Sequence, residues 1–164
     1  MKAIVWLICA SAALPSAAAL AASTQLSPAD QAAAFTAAGF ILKGQQWSSG
    51  CDDRGTTSYT PGSIDQVLDL NGDGRPEAVI SEGGTYCYGH TGAGYSIVSK
   101  QANGKWKRIT NGTGMPSFLK TKGAGGWPDI EVGGPGFCFP VERWNGREYV
   151  LDRHEYEGKR CQPN

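Results

Sequence analysis

Tyr95-Ser96-Ile97-Val98-Ser99-Lys100-Gln101-Ala102-Asn103-Gly104-Lys105-Trp106-Lys107-Arg108-Ile109-Thr110 reads as two strands folded back on each other at Asn103-Gly104. Asn-Gly takes the positive backbone angles of a tight hairpin turn at little cost, so the pair between strand-forming residues predicts an antiparallel hairpin. A second stretch has the same construction, with 139–144 leading to Asn145-Gly146 and then 147–156. In each, a tryptophan, Trp106 or Trp144, lies beside the turn. Two further Asn-Gly pairs, at Asn71 and Asn111, lack such flanks.

The sequence before each hairpin repeats weakly. Pro76-Glu77-Ala78-Val79-Ile80 leads to Tyr86-Cys87-Tyr88, and Pro128-Asp129-Ile130-Glu131-Val132 leads to Phe137-Cys138-Phe139. Each unit predicts a small antiparallel meander. Side chains alternate along a strand, so each cysteine is expected on one face and its aromatic neighbours on the other. One helix precedes them: Ser27 is placed to cap, Pro28 to start and Asp30 to suit the positive end of a helix over about 28–38, with Ala32 and Phe35 on one face and Gly39 as the stop. The fold class that follows is mainly β, built of antiparallel meanders and hairpins in a propeller-blade-like or sandwich arrangement, with one short N-terminal helix.

The first 21 of the 164 residues read as a signal peptide: Lys2, an apolar stretch over 3–14, a break at Pro15-Ser16, and small residues at Ala19 and Ala21 for cleavage before Ala22. Ser11, Pro15 and Ser16 interrupt a run too short to span a bilayer, and residues 22–164 suit a single domain. That domain has all 23 glycines, about 16% of its length, which disfavours a helical bundle because each interior glycine costs about 1 kcal/mol. With Lys2 removed, acidic residues outnumber basic ones by one, and there is no charge run. A nucleic-acid binder working by counterion release is thereby excluded. Periplasmic or secreted localisation is expected, with no transmembrane segment once the signal is gone.

Cys9 leaves with the signal, and Cys51, Cys87, Cys138 and Cys161 remain. An even number in an exported chain predicts two disulfides, whereas their wide spacing lacks the close pairs of a zinc knuckle. Of three possible connectivities, Cys51–Cys87 with Cys138–Cys161 joins sequence neighbours. The 15 aromatic residues against 18 Val, Ile and Leu in residues 22–164 predict an aromatic-rich core that the disulfides supplement.

One segment carries recognisable chemistry. Asp69-Leu70-Asn71-Gly72-Asp73-Gly74-Arg75-Pro76-Glu77 sets oxygen side chains at alternate positions with a glycine for a sharp turn, so Asp69, Asn71, Asp73, the Arg75 carbonyl and Glu77 could wrap a structural calcium ion. Ile80 stands where an EF-hand needs its bidentate glutamate. The nine residues and the following Ala78-Val79-Ile80 resemble instead the single calcium loop of FG-GAP or VCBS-type repeats. The same Asn-Gly and Asp-Gly pairs also serve as a metal-free turn. With the signal, the glycine-rich linkers and the terminal Trp-Asn-Gly hairpin, the chain resembles small exported bacterial proteins, a likeness that implies no activity. The glycine runs over 89–94 and 123–126 lack the helix and Gly-Lys-Ser/Thr ending of a phosphate loop.

Two classes of function follow. The leading expectation is an exported calcium-stabilised binding module that contacts a protein or a cell-envelope glycan through exposed aromatics and glycine-rich loops; an inhibitor or immunity-type protein differs from it only in partner. The alternative is a small exported hydrolase using His154 with Asp152, placed on one strand face, and Glu155 as acid–base groups.

Overall fold

The computed structural model describes residues 25–51 and 57–163, so the signal peptide and its cleavage point lie outside the described residues. Helix α1, Pro28–Ala38, begins as the sequence predicts: the Ser27 hydroxyl accepts from the Asp30 amide, and Gly39 ends the helix in the left-handed conformation, φ 91°. Phe35 is buried as expected, but Ala34 and Ala38 share its face while Ala32 is only half-buried. The inward stripe at i, i+1 and i+4 is the one that 3.6 residues per turn permits.

Eleven strands follow among the described residues. The first sheet is β1 (Ile41–Lys43), β2 (Gln46–Ser48), β3 (Thr60–Leu68), β4 (Glu77–Gly83), β5 (Ala93–Lys100) and β6 (Trp106–Thr113); the second is β7 (Met115–Lys122), β8 (Pro128–Gly133), β9 (Phe139–Trp144), β10 (Tyr149–Tyr156) and β11 (Lys159–Arg160). Each sheet runs in chain order with antiparallel neighbours. The fold is therefore mainly β, two successive meanders in which both predicted hairpins form, β5–β6 and β9–β10. Asn111-Gly112 instead lies within β6.

The first sheet is covered on both faces, and period-two alternation explains how. Ala78 and Ile80 of β4 and Val98 of β5 point to α1, packing with Phe35, Ala38, Phe40 and Trp106. Their neighbours Val79, Tyr95 and Ile97 point the other way, against Ile130, Phe118, Val132 and Tyr149 of the second sheet and its hairpin. Ile80, Ile97, Val98 and Ile130 are fully enclosed, each contributing about 1.5–3 kcal/mol by burial. Aromatic rings extend this small aliphatic core: Phe35 stacks on Trp47 at 4.7 Å, and Trp127, Trp144 and Tyr149 form a cluster with centroids 5.3–6.3 Å apart. Asp30 does more than suit the helix dipole. Its carboxylate takes Lys100 Nζ and Trp106 Nε1 at about 3 Å, tying α1 to the β5–β6 hairpin, and those bonds, Lys100 first, hold its pKa below the usual value.

Both disulfides form in the predicted connectivity, Cys51–Cys87 and Cys138–Cys161, closing loops with separations of 36 and 23 residues. Loops of this size stabilise by roughly 3–4 kcal/mol in the chain-entropy estimate. The expected strand conformation of the two cysteine triplets is corrected. Tyr86-Cys87-Tyr88 lies in a single helical turn, α2 (Thr85–Tyr88), closed by the Tyr88 amide on the Gly84 carbonyl at 2.9 Å. Cys138 has φ 68° in the loop before β9. Simple alternation therefore does not set their directions; the disulfides do.

Glu142 of β9 opposes Ile130 and Leu151 in the second sheet. Its Oε2 is buried with no hydrogen-bond partner among the described residues, and burial pushes its carboxyl pKa up. A raised folded-state pKa means that stability is complete at pH below the unfolded glutamate value and declines as pH rises through the raised one. Glu142→Leu should therefore be more stable than wild type at pH 8, by about 1–2 kcal/mol or about 3 °C per kcal/mol in Tm, with a smaller gain at pH 4. Thermal unfolding at the two pH values decides it: equal gains, or a loss at pH 8, would contradict a destabilising buried carboxylate.

Candidate functional site

The acidic turn closes the end of the molecule from which β4 departs. Asp69 Oδ1 accepts from the amides of Gly72 and Asp73, and Oδ2 from that of Gly74, at 2.9–3.1 Å. Asn71 Oδ1 accepts from the Asp73 amide and Asp73 Oδ1 from the Arg75 amide. Gly74, φ 80°, supplies the left-handed position that the sharp bend needs. Four of the five sequence-predicted residues, Asp69, Asn71, Asp73 and Arg75, thus share one turn. The Arg75 guanidinium pairs with Asp73 and reaches the Lys100 carbonyl. Glu77 lies beneath them, fully buried, with Oε2 on the Leu70 amide at 2.8 Å and Oε1 on the Ser99 hydroxyl at 2.7 Å. Burial, aided by the nearby Asp73 and Asp69 charges, raises its pKa. Among the described residues no three His, Cys, Asp or Glu side chains converge as a ready-made metal cage.

At the other end of β4 stands a second buried carboxylate that sequence reading missed. Glu82 is 1% exposed and accepts from the Ser49 amide at 3.1 Å, the Ser49 hydroxyl, the Tyr59 hydroxyl at 3.0 Å and the Tyr88 hydroxyl at 2.8 Å. Four donors compensate its desolvation. Tyr88 lies so close over Gly94 that a β-carbon there would come within 2.1 Å of the ring. Burial and the Glu82 charge move the Tyr88 phenol to about 12. The disulfide thus joins the segment after β2 to α2, and the Glu82 carboxylate of β4 fastens both through Ser49 and Tyr88.

In each cysteine triplet the aromatic before the cysteine is the more exposed of the two. Tyr88 goes to Glu82, while Tyr86 is 80% exposed; Phe139 is half-buried and Phe137 76% exposed, the two rings meeting Tyr156 at 6.1 and 5.2 Å. The two loops leave the same end of the sheets. A β-carbon on Gly134 would lie 3.6 Å from Thr91 Oγ1, so the segment before Phe137 abuts the segment after Tyr86.

On the outer face of the second sheet, Asp129, the counterpart of Glu77 in the sequence repeat, is fully buried. Arg143 bonds it through Nε and Nη2, Arg153 through Nη1 and Thr121 through its hydroxyl, at 2.6–2.9 Å. Burial opposes ionisation, but these donors outweigh it and hold the Asp129 pKa well below the usual value. Stability from this network is present above the ordinary aspartate pKa and disappears as pH falls through the depressed one. It also takes up two of the three candidate acid–base groups. Arg153 binds both Asp152 and Glu155. The expected common face for Asp152 and His154 is corrected: a bulge between Leu151 and Arg153 shifts the register, sending the Asp152 carboxylate to the arginines while His154 opposes Pro140. No hydrogen bond joins Asp152 to His154 among the described residues.

Compared with known proteins, the chain matches no protein-family model, no curated protein and no solved structure. The site residues that sequence reading missed, Glu77 as an anchor, Glu82 and Asp129, shared one signal: each is an acid at the border of a short apolar run, where burial obliges it to find donors.

Proposed function

We propose that the mature chain is an exported, calcium-stabilised binding module, periplasmic or secreted, that contacts a protein or a cell-envelope glycan with the end of the molecule bearing the two disulfide-anchored loops. One observation carries this reading: Tyr86 and Phe137, among the most exposed large hydrophobic side chains, are held on neighbouring loops that are each covalently fixed. Exposed aromatics on a rigid support favour binding, because little conformational entropy remains to be lost on contact. Two disulfides accord with an oxidising compartment, and among the described residues no helix is long and apolar enough to cross a membrane.

Calcium belongs to this reading at the opposite end of β4. The turn is already wound, and Asp69, Asn71, Asp73 and the Arg75 carbonyl are the hard oxygen donors that the ion favours. Bound calcium would replace the Arg75 guanidinium as the counter-charge of Asp73, with the Glu77 carboxylate closing the site from below through its remaining lone pairs. The hydrolase alternative has less to draw on, since Asp152 and Glu155 are engaged by Arg153.

The contact end is tested by capture from the native envelope fraction with the mature, oxidised protein. Tyr86→Ser with Phe137→Ser should lose a saturable partner that the wild type retains; undiminished capture by the folded double variant would overturn the reading. The metal is tested by thermal unfolding across a calcium titration. With a dissociation constant on the order of 10⁻⁴ to 10⁻³ M, calcium at about 100 times that value should add about 2.7 kcal/mol to wild type and much less to Asp73→Asn. Equal responses, or none in either protein, would reduce the segment to a turn.

A further inference from the structure

A polar cavity of about 270 Å³ opens at the C-terminal end of α1, on the helix-covered face of the first sheet. It lies apart from the acidic turn. Ladder register assembles its floor: Ser96 of β5 opposes Asn111 of β6, and after a bulge Val98 opposes Arg108, so Ser96, Asn111 and Arg108 share this face. Its far wall is Tyr88 and Ser49, the two side chains held by Glu82.

Two groups at the cavity have hydrogen-bonding capacity that no described residue takes up: the Ser96 hydroxyl and the guanidinium of the exposed Arg108. Ser96 is 6% exposed and lines the space, yet its hydroxyl makes no hydrogen bond to any described residue. The hydroxyl faces the cavity, where it is free to donate to or accept from an occupant. The Arg108 guanidinium spends one N–H on the Ala38 carbonyl at 3.1 Å and pairs with no carboxylate among the described residues. Its other donors remain for an anion, and a planar guanidinium suits a carboxylate.

The opposite wall has the reverse polarity. Ser49 and Tyr88 both give their hydroxyl protons to the Glu82 carboxylate, so their oxygens turn lone pairs outward and act as acceptors. The occupant therefore carries a negative group at the Arg108 and Asn111 side and hydroxyl donors at the Tyr88 and Ser49 side. The volume is just below the roughly 300 Å³ at which drug-sized sites begin, room for one sugar-sized unit.

We propose that this cavity binds a small polyhydroxylated carboxylate of the size of one uronic-acid residue, with its carboxylate on Arg108 and Asn111, one oxygen accepting from Ser96, and its hydroxyls donating to Tyr88 and Ser49. The proposal does not depend on the loop-tip contact or on calcium: it uses other residues, and its test runs in calcium-free buffer.

The test is an NMR titration of the isotope-labelled mature, oxidised protein with D-glucuronate and, separately, with D-glucose. Glucuronate should shift the resonances of Ser96, the Asn111 side-chain amide and Arg108 Nε in a saturable manner, and glucose should bind at least tenfold more weakly. Arg108→Gln should lose at least tenfold in glucuronate affinity and with it the preference over glucose. Ser96→Ala, which removes one buried oxygen and threatens the fold least, should weaken glucuronate severalfold. Equal affinity for both sugars, no shift at 50 mM glucuronate, or unchanged binding by folded Ser96→Ala and Arg108→Gln would overturn the proposal.

Discussion

Strand β4 is the constraint on which the rest of the molecule depends. Its apolar residues are enclosed on both faces, by α1 on one side and by the second sheet on the other, and its two ends carry fully buried carboxylates. Glu77 binds the acidic turn through the Leu70 amide; Glu82 binds the disulfide loop through Ser49, Tyr59 and Tyr88. A buried carboxylate without donors would be strongly destabilising, so both loops are drawn onto the strand. One short ladder thus positions a candidate cation turn at one end and an aromatic contact surface with a polar cavity at the other.

The arrangement offsets a lean core. Glycine-rich loops contribute little apolar burial, and the chain is also tied together at separate points: two disulfides, the Asp30 clamp on Lys100 and Trp106, and Asp129 gripped by two arginines. Such ionic and hydrogen-bonded nodes contribute modestly relative to well-packed hydrocarbon, yet removing one partner is costly. They specify which loops meet more than they add to total stability. Glu142 is the exception, a carboxylate on the inner face with one oxygen left unbonded.

What could be read from the sequence was what local rules decide. Ser27, Pro28 and Gly39 bound the helix because capping geometry involves only adjacent residues; the Asn103 and Asn145 turns set both hairpins; nearest-neighbour pairing of the cysteines matched because each meander folds on itself. Tyr86-Cys87-Tyr88 was misread as extended because its conformation is set from outside the segment, by Cys51 and by Glu82. The Asp152 and His154 alignment failed at a one-residue bulge, which period-two counting has no means to detect. The cavity was invisible for a related reason: Ser49 and Glu82 are 33 residues apart, and Ser96 meets Asn111 only across a ladder. A faint signal existed, since Ser96 and Ser99 interrupt the apolar run of a strand whose interior is buried.

The central claim, that β4 with its partner β5 is the last part of the molecule to open and that the acidic turn and the α2 turn are fastened to its ends, is tested most directly by native-state hydrogen exchange. The amides of Ala78 to Ile80, Ile97 and Val98 should exchange slowest, with opening free energies equal to the global unfolding value, while the acidic turn and the helical turn α2 that carries Cys87 open at lower cost. If amides of β9 or β10 outlast them, or if β4 exchanges through a sub-global opening while the second sheet stays closed, the account of this fold as organised around one doubly covered strand is wrong.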